Sequence, residues 1–419
     1  MEYNIDTKIS ECLNCKTKPC TKGCPLGNNM PQVINLIKEN QFEQAYKELT
    51  KTTVLPSICG RICPHMSQCM GKCVKGIKGT PVSIGEIEAF LGDMAIEQNW
   101  KLDTNNKKNK KIAIIGSGPA GLTCAAFLAR KGYEVTIYEK NAELGGILRY
   151  GIPKFRLNRE ILNKSINKIL ELGINVKYGF ELGTDLDLHQ LQHNYDAIFI
   201  AIGANIPWAM GIEGENLQGV YGGNTLLKNI EDNKNVPDFK NKNVAVIGGG
   251  NVAMDCARTI KRLGANSVKV IYRRAEEQMP AEQKEIKIAK QEGIEFLFQN
   301  NITKILGDKK VEKIECIQTE LVNKEGENRL SPINIENSNY QINMDCVIMA
   351  IGAQTDTQVV NKLDLQMDNH GYIKVDEQYK TSNSKIWAGG DVIGNKQTVA
   401  WASFFGRQVA ENIEKSLNM

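Results

Sequence analysis

The stretch from Ile112 to Glu139 constrains the fold of this chain more than any other segment. It reads IAIIGSGPAGLTCAAFLARKGYEVTIYE. The apolar run over 112–115 predicts a buried parallel strand, and the pattern over 122–130 predicts a helix. A second strand is expected over 134–138. This order predicts the first strand–helix–strand unit of a Rossmann-like nucleotide-binding fold.

The turn between the first strand and the helix carries the G-x-G-x-x-G pattern, as Gly116, Gly118 and Gly121. Such glycines allow a tight turn, close approach to a pyrophosphate, and packing of helix on strand. Glu139 ends the second strand, where it can accept hydrogen bonds from ribose hydroxyls. We expect this first dinucleotide site to use Gly116, Gly118, Pro119, Ala120, Gly121, Glu139, Lys140, Gly145, Gly146, Leu148, Gly151, Ile152 and Gly203.

Composition places the chain in the class of globular proteins. Its 419 residues are enough for about three domains. The net charge of +4 includes a basic run over 107–111, which is typical of a solvated linker. No apolar run approaches the roughly 18 residues of a membrane span, and the N-terminus lacks a signal-peptide pattern. We therefore expect a cytoplasmic protein with no membrane or nucleic-acid partner.

Eight of the twelve cysteines fall before residue 74, and their spacing indicates metal binding. Two groups of four are present: Cys12, Cys15, Cys20 and Cys24, then Cys59, Cys63, Cys69 and Cys73. Two zinc sites are the alternative, but zinc sites usually pair two C-x2-C knuckles and only one such knuckle exists here. Closely spaced cysteines ending in Cys-Pro are typical of ferredoxin-type ligation, so we expect two [4Fe–4S] clusters. Helical periodicity from Met30 to Leu49 and from Ile84 to Ile96 predicts that the domain around them is small and helical.

A second nucleotide signature follows the predicted strand over 244–247. It has the form G-x-G-x-x-A, with Gly248, Gly250, Asn251, Val252 and Ala253 as expected contacts. The next strand ends on Arg273 and Arg274 rather than on an acid. Because arginines suit a 2′-phosphate, NADPH is favoured over NADH, which stays possible. A further contact is expected at Gly352.

Near the C-terminus, a strand ending in Gly390-Asp391 precedes a helix that begins at about Thr398. Such an Asp can reach a ribitol hydroxyl of a flavin, and the helix N-terminus can stabilise negative charge on its ring. This would place the C-terminal segment in the first Rossmann unit, with the second unit inserted. The predicted fold is α/β, with domains at 1–104 (helical, iron–sulfur), 105–236 with 369–419 (first nucleotide), and 237–368 (second nucleotide).

The motifs together resemble the glutamate synthase small-subunit family of flavoproteins. That family also includes the NADPH-side parts of dihydropyrimidine dehydrogenases and of NADH-dependent ferredoxin:NADP oxidoreductases. The resemblance rests on Cys12 to Pro25, Cys59 to Cys73, Gly116 to Gly121, Tyr150 to Pro153, Gly248 to Asp255, Tyr272-Arg273-Arg274 with Met279-Pro280-Ala281, and Gly389-Gly390-Asp391. It implies FAD at the first site, a pyridine nucleotide at the second, and two [4Fe–4S] clusters.

The resemblance also implies crossed cluster ligation. One cluster would be held by Cys12, Cys15, Cys20 and Cys73, and the other by Cys24, Cys63, Cys69 and a fourth ligand. By spacing, the fourth position falls at Glu88, and Cys59 competes for it. No Cys-x4-Cys follows either glycine turn, so a redox-active disulfide is not expected.

The predicted function is electron input from NADPH, through FAD and both clusters, to a larger partner subunit or a ferredoxin-type acceptor. The leading interpretation is glutamate synthase small-subunit activity. The alternative is the NAD(P)H subunit of a dihydropyrimidine dehydrogenase or of a ferredoxin:NADP oxidoreductase. A non-catalytic iron–sulfur binding or assembly subunit is the hypothesis from a different class, although every glycine motif is intact.

Overall fold

The computed structural model describes residues 5–323, 329–394 and 396–418. The chain forms two compact units. The first comprises Met1–Arg149, Lys154–Ala204 and Thr355–Met419, and the second comprises Tyr150–Pro153 and Asn205–Gln354. No helix among the described residues is long and apolar enough to cross a bilayer.

The α-helices of the described residues are, in chain order, α1 (Ile5–Ser10), α2 (Pro19–Gly23), α3 (Met30–Lys38), α4 (Phe42–Leu49), α5 (Pro56–Ile62), α6 (Ile84–Glu97), α7 (Pro119–Arg130), α8 (Ile147–Tyr150), α9 (Arg159–Leu170), α10 (Leu188–Asn194), α11 (Gly223–Asp232), α12 (Asn251–Arg262), α13 (Gln283–Gln291), α14 (Thr357–Val360) and α15 (Val399–Leu417). Short 3-10 helices lie at His65–Ser67, Met70–Lys72, Val74–Ile77, Glu276–Gln278 and Asp391–Ile393.

The β-strands are β1 (Lys111–Ile115), β2 (Glu134–Glu139), β3 (Asn175–Tyr178), β4 (Ala197–Ile200), β5 (Ile206–Pro207), β6 (Val220–Gly222), β7 (Asn243–Ile247), β8 (Ser267–Tyr272), β9 (Glu295–Phe298), β10 (Asn300–Leu306), β11 (Lys313–Val322), β12 (Ser331–Asn334), β13 (Tyr340–Asn343), β14 (Cys346–Met349), β15 (Ala353–Gln354) and β16 (Ile386–Ala388).

Residues 5–100 contain six α-helices and three short 3-10 helices, as the apolar periodicity of this part of the chain predicts. Helical periodicity runs from Met30 to Leu49, but the structure divides this stretch into α3 and α4, with Asn40 between them at φ 57°. The two helices pack with α6 around a core that includes Val33, Ile37, Tyr46 and Leu91. Helices α5 and α6 lie unusually close: a Cβ on Gly60 would be 2.4 Å from the amide nitrogen of Ala89. The domain is thus a compact helical scaffold for its cysteines.

The first sheet has the order β16-β4-β1-β2-β3, and all its strand pairs are parallel. Its C-terminal strand β16 pairs with β4, from Ile386 beside Ile198 to Ala388 beside Ile200. Helix α15 then packs on α7 so closely that a Cβ on Gly406 would lie 2.2 Å from the carbonyl oxygen of Ala120. The prediction that the chain returns to its first Rossmann unit is confirmed.

The second unit contains a parallel sheet of order β6-β14-β7-β8-β9. An antiparallel ladder follows, in which β11 pairs with β10, β12 and β13. A short pair, β5 with β15, lies where the chain enters and leaves the unit. The α/β class with one Rossmann-like unit inserted in another is confirmed. The predicted domain boundaries stay a prediction; the second sheet itself takes in β6, which begins at Val220.

Candidate functional site

The first glycine turn lies between β1 and α7. Gly116 has φ 99°, and a Cβ there would lie 2.5 Å from the carbonyl oxygen of Ala201. A Cβ on Gly121 would be 2.0 Å from the carbonyl oxygen of Gly116, so helix and turn touch through backbone. At Gly118, the residue before Pro119 of α7, a Cβ would meet nothing within 4 Å. The turn is therefore closed on the protein side and open beside the helix N-terminus, where backbone N–H groups attract phosphates.

Glu139 is buried at the end of β2, and its carboxyl group stabilises the first glycine turn through hydrogen bonds. Its Oε2 accepts from the Ser117 amide at 3.0 Å and from the Ser117 hydroxyl, and its Oε1 accepts from the Asn141 amide at 2.9 Å and side chain at 2.7 Å. The Ser117 hydroxyl also accepts from the Gly145 amide at 3.1 Å. Glu139 and Ser117 thus join the glycine turn to the loop between β2 and α8. The ribose contact of Glu139 stays a prediction.

The other predicted contacts of the first site take different positions. A Cβ on Gly146, which has φ 51°, would lie 2.8 Å from Gly118 Cα, so this loop lies directly on the turn. Leu148 is fully buried, whereas Lys140 pairs with Glu181 at the surface, 2.9 Å away. Gly203 follows β4 with φ 73°. Gly151 and Ile152 group with the second unit rather than the first.

Asp391 begins the 3-10 helix that follows β16. Its Oδ1 is buried and has no hydrogen-bond partner among the described residues. Burial raises the pKa of this carboxyl group to about 7. Gly390, at φ 81°, brings the segment next to α7, since a Cβ on it would be 3.0 Å from Ala120 Cβ. A buried carboxyl oxygen without a partner is costly unless a ligand donates to it.

Four cysteines of the helical domain surround one cavity, and we call them the outer thiol set: Cys12, Cys15, Cys20 and Cys73. Each is partly exposed. Burial raises the pKa of Cys20, and so does negative charge on Cys12 and Cys73, which places those three thiols close together. The cavity is otherwise lined by apolar side chains such as Met30 and Ile34. Three cysteines of the first sequence group and the last cysteine of the second are thus brought to one site.

The remaining four cysteines form the inner thiol set: Cys24, Cys59, Cys63 and Cys69. Cys59, Cys63 and Cys69 are buried, and Cys24 is half-buried. Burial raises the pKa of Cys24 to about 11, with charge on Glu88 as the next cause. Burial raises the pKa of Cys69 further, with charge on Cys24 and Glu88 adding to it. Cys24, Cys69 and Glu88 therefore lie close enough together for the charge of one to act on the others.

The structure brings both candidates for the fourth inner ligand to the same place. Glu88 is 4% exposed, and its Oε1 accepts from the Asn28 side chain at 3.1 Å. Burial raises its pKa well above the usual value, and charge on Cys59 raises it further. Cys59 is 1% exposed, and its thiol shares a hydrogen bond with the thiol of Cys63. The choice between Glu88 and Cys59 stays open. Over the described parts of the chain, no three metal-ligating side chains converge tightly enough for a single metal ion.

Two side chains tie the inner thiol set to α15. Gln68, the neighbour of Cys69, donates to the Thr398 hydroxyl at 3.4 Å, and this hydroxyl caps α15 by accepting from the Trp401 amide at 3.3 Å. Arg407 Nη1 donates to the carbonyl oxygens of Leu26 at 3.0 Å and Thr52 at 3.2 Å. The predicted contact Thr398 therefore lies beside Gln68, at the N-terminus of the helix that packs on α7 through Gly406.

The second glycine turn repeats the geometry of the first. Gly248 has φ 136°, and a Cβ there would lie 2.2 Å from the carbonyl oxygen of Ala350. At Gly250, which precedes α12, a Cβ would meet nothing within 4 Å. The Asn251 side chain accepts from the Glu282 amide at 3.0 Å, so it holds the following loop. Val252 is half-buried, Ala253 is fully buried, and Gly352 has φ 122°.

The end of β8 carries guanidinium groups where the first sheet carries an acid. Arg273 is exposed, and Arg274 donates from Nε to the Leu330 carbonyl at 3.0 Å. A third cation, Arg329, donates to the Tyr272 hydroxyl at 2.8 Å and to the Gln278 carbonyl. Sequence reasoning missed Arg329 because 56 positions separate it from Arg273 and no motif contains it.

Comparisons with known proteins agree with this geometry. Residues 110–408 match the pyridine nucleotide-disulphide oxidoreductase family. The chain belongs to that family. Residues 2–100 match the family described as dihydropyrimidine dehydrogenase domain II, 4Fe-4S cluster. The chain is therefore an FAD-dependent NADPH oxidoreductase with an iron–sulfur domain.

Relatives extend the match over almost the whole chain. The glutamate synthase [NADPH] small chain of Escherichia coli is 35% identical, covering 98% of this chain and 91% of the relative. The NADP(+)-dependent formate dehydrogenase subunit beta of Moorella thermoacetica is 33% identical, covering 96% of this chain and 60% of the relative. Mycobacterium tuberculosis FprA in complex with NADPH is similar in fold, with TM-score 0.65 and 19% identity over 74% of this chain and 85% of that chain.

The residues present fit the groups that the family implies. The buried, unpartnered Asp391 Oδ1 suits a ligand hydroxyl, and the open edges at Gly118 and Gly250 suit pyrophosphates. The two thiol sets are soft donors of the kind that iron–sulfur clusters use. Burial raises the pKa values of the Cys20 and Cys24 thiols, so these two thiols would release protons when a cluster binds.

Proposed function

We propose that the chain is an electron-input subunit that oxidises NADPH and delivers electrons to a larger partner protein, in the manner of a glutamate synthase small chain. The observation that carries the proposal is the joining of the inner thiol set to the first nucleotide site through Gln68, Thr398 and Arg407. When bound, FAD accepts a hydride from NADPH, and [4Fe–4S] clusters carry single electrons.

The side chains supply binding and orientation. Arg273, Arg274 and Arg329 would hold the 2′-phosphate of NADPH, because guanidinium groups pair with phosphate through charge-assisted hydrogen bonds. The N-terminus of α12 at Gly250 would face the pyrophosphate. In the first unit, Asp391 would accept from a ribitol hydroxyl. The hydrogen bonds between Glu139 and Ser117 hold the first glycine turn in position.

The thiol sets would each hold one cluster, with Cys59 or Glu88 completing the inner one. Arg407 and Gln68 would keep the helical domain seated on α15, so the inner set stays at a fixed place beside the flavin domain. The outer set, partly exposed, would be the point from which electrons leave. Proximity and orientation of this kind are what the protein contributes to cofactor chemistry.

Two measurements on anaerobically purified protein test the proposal. NADPH should bleach the visible flavin absorbance, and iron analysis should give about eight irons, the content of two [4Fe–4S] clusters. Cys15→Ser and Cys69→Ser should each lower the iron content by about half, one from each thiol set. Cys346→Ser, which changes a buried cysteine of the second unit, is the matched control and should leave the iron content unchanged. Zinc in place of iron, or flavin that NADPH does not bleach, would refute the proposal.

A second candidate is an input subunit for a different enzyme, since the formate dehydrogenase subunit is nearly as similar as the glutamate synthase chain. Isolation of the native complex distinguishes the two. A partner that makes glutamate from 2-oxoglutarate and glutamine supports the first function, and a partner that oxidises formate supports the second.

A further inference from the structure

The outer thiol set lies at a surface that exposes large apolar side chains. Leu13 is 64% exposed, Val74 is 39% exposed, and Ile77 is 78% exposed. Leu13 and Val74 line the same cavity as Cys12 and Cys73, so they sit beside the thiols rather than elsewhere on the domain. Contiguous exposed apolar side chains beside a functional site indicate contact with another macromolecule.

The same surface is strongly basic. Residues 12–27 and 63–85 contain six lysines and no Asp or Glu, namely Lys16, Lys18, Lys22, Lys72, Lys75 and Lys78. These two segments contribute +6 to a chain whose net charge is +4, so the rest of the chain carries −2. The positive charge is therefore concentrated around the outer thiol set.

Contacts between the two segments place their lysines together. A Cβ on Gly23 would be 2.6 Å from Lys72 Cγ, so the Lys72 side chain lies against the helix that carries Lys22. Lys75 lines the outer cavity with Leu13 and pairs with Glu11 at 2.8 Å. Lys22, Lys72 and Lys78 are exposed. Glu11 thus offsets the charge of Lys75, and Glu48 lies close enough to Lys18 to interact with its charge.

We propose that this surface, formed by Leu13, Val74, Ile77 and the six lysines, docks an acidic protein that accepts electrons one at a time. The inference rests on the proposed function and adds the chemistry of the partner. Oxidation of one NADPH to NADP⁺ and a proton releases two electrons, which reduce two one-electron centres of the acceptor. Complementary charge steers the encounter, and the apolar side chains give the contact its buried centre.

A second copy of this chain suits the surface less well. In a symmetric dimer the same patch meets itself, so positive charge would face positive charge. An acidic partner has no such repulsion. Its association should weaken with salt, because the Debye length falls to about 8 Å at physiological ionic strength.

The experiment uses the complete enzyme with both cofactor types bound. The acidic probe is an acidic [2Fe–2S] ferredoxin whose reduction potential lies above that of the NADPH couple, the basic probe is cytochrome c, and ferricyanide reports electron input from NADPH. Lys22→Glu with Lys78→Glu should lower kcat/KM for ferredoxin by at least about 10-fold and abolish its salt dependence. The control pair, Lys309→Glu with Lys313→Glu, makes the same charge change on exposed residues of the second unit and should have no effect. Ferricyanide reduction should be unchanged in both.

Other results overturn the proposal. They are ferredoxin reduction that is absent or independent of salt in the wild type, and an equal loss of ferredoxin reduction in the control pair. A loss of cytochrome c reduction in Lys22→Glu with Lys78→Glu as large as the loss of ferredoxin reduction would also overturn it. If the wild type self-associates and Lys22→Glu with Lys78→Glu abolishes this, the surface binds a second copy instead. If the wild type binds phosphatidylserine vesicles and the same variant does not, the surface binds lipid instead. If the double variant loses iron, Lys78→Glu alone, five residues beyond Cys73, provides the same comparison. If the wild type does not reduce ferricyanide with NADPH, this result would instead refute the proposed function.

Discussion

The two nucleotide turns have the same backbone but opposite chemistry at the end of the second strand. In the first unit, Glu139 is 4% exposed, and both of its carboxyl oxygens accept hydrogen bonds from within the protein. In the second unit, Arg273 is exposed, and Arg274 makes one hydrogen bond to a backbone carbonyl. One turn is fixed by its polar residue, whereas the other presents its polar residues to solvent.

This difference separates two uses of a charged residue at equivalent positions. Removing a buried, fully bonded carboxyl group leaves buried donors without acceptors, which costs folding free energy. Removing an exposed guanidinium leaves the fold intact and changes which ligand binds. We therefore expect substitutions in the first turn to act on stability, and substitutions in the second turn to act on the choice of coenzyme.

The largest expected effect is that of Glu139→Leu. It leaves the Ser117 amide and hydroxyl and the Asn141 amide without their acceptor, which should cost about 5 kcal/mol and lower the flavin content. Thermal unfolding and flavin absorbance measure both effects. Glu134→Leu is the matched control, because Glu134 is exposed on the same strand. Equal unfolding midpoints for the two variants would show that Glu139 does not fasten the turn.

Asp391 is the second buried acid of the first unit, and its effect depends on pH. Burial raises its pKa from 3.8 to about 7, so the folded, FAD-free protein binds this proton more tightly than the unfolded chain does. The resulting stability is fully present below pH 4 and is lost as pH rises through 7, by about 4 kcal/mol in total. Asp391→Asn should remove this dependence.

The measurement is the unfolding midpoint of FAD-free protein between about pH 4 and pH 8. The wild type should lose stability over this range relative to Asp391→Asn. Asp364→Asn changes an exposed carboxyl group of the same unit and should follow the wild type. Parallel curves for wild type and Asp391→Asn would show that Asp391 is not buried without a partner.

Sequence patterns predicted the parts of these sites that depend on local backbone. Both glycine turns, the end of β2 at Glu139 and the return of Asp391 to the first sheet follow from strand, turn and helix periodicity. The helix break at Asn40 was not predicted, since one residue at positive φ interrupts an otherwise regular apolar pattern. A single residue of this kind can determine where a helix ends, whereas the type of the element depends on the pattern of many residues.

Contacts between distant segments were not accessible to the same reasoning. Gln68 reaches Thr398 across 330 positions, and Arg407 reaches Leu26 across 381. Nothing in the local pattern marks either side chain, because an Arg on a surface helix usually faces solvent. The grouping of the eight cysteines into outer and inner sets was implied only by family resemblance. This grouping is determined by the packing of the helical domain, which brings Cys73 beside Cys20.

In the second turn, Arg273→Ser with Arg274→Ser should weaken NADPH use and leave the fold intact. Loss of the guanidinium contacts to a 2′-phosphate should raise KM for NADPH by about 10- to 100-fold, or about 1.4 to 2.8 kcal/mol. NADH lacks this phosphate, so its KM is the internal control and should change little. An equal rise in KM for both coenzymes, or no rise in KM for NADPH, would mean that these arginines do not bind the 2′-phosphate.

The smallest effect is expected at Arg329, which sharpens the comparison. Its guanidinium donates hydrogen bonds to the Tyr272 hydroxyl and to the Gln278 carbonyl, so it combines a structural role with the proposed contact to the 2′-phosphate. If it contributes charge to the 2′-phosphate, Arg329→Ala should raise the Kd for NADPH several-fold, by about 1 kcal/mol, and leave that for NADH unchanged. Arg329→Lys should retain part of the NADPH affinity. If both coenzymes weaken equally in Arg329→Ala, the residue only holds the loop at Gln278. The choice of coenzyme would then lie with Arg273 and Arg274 alone.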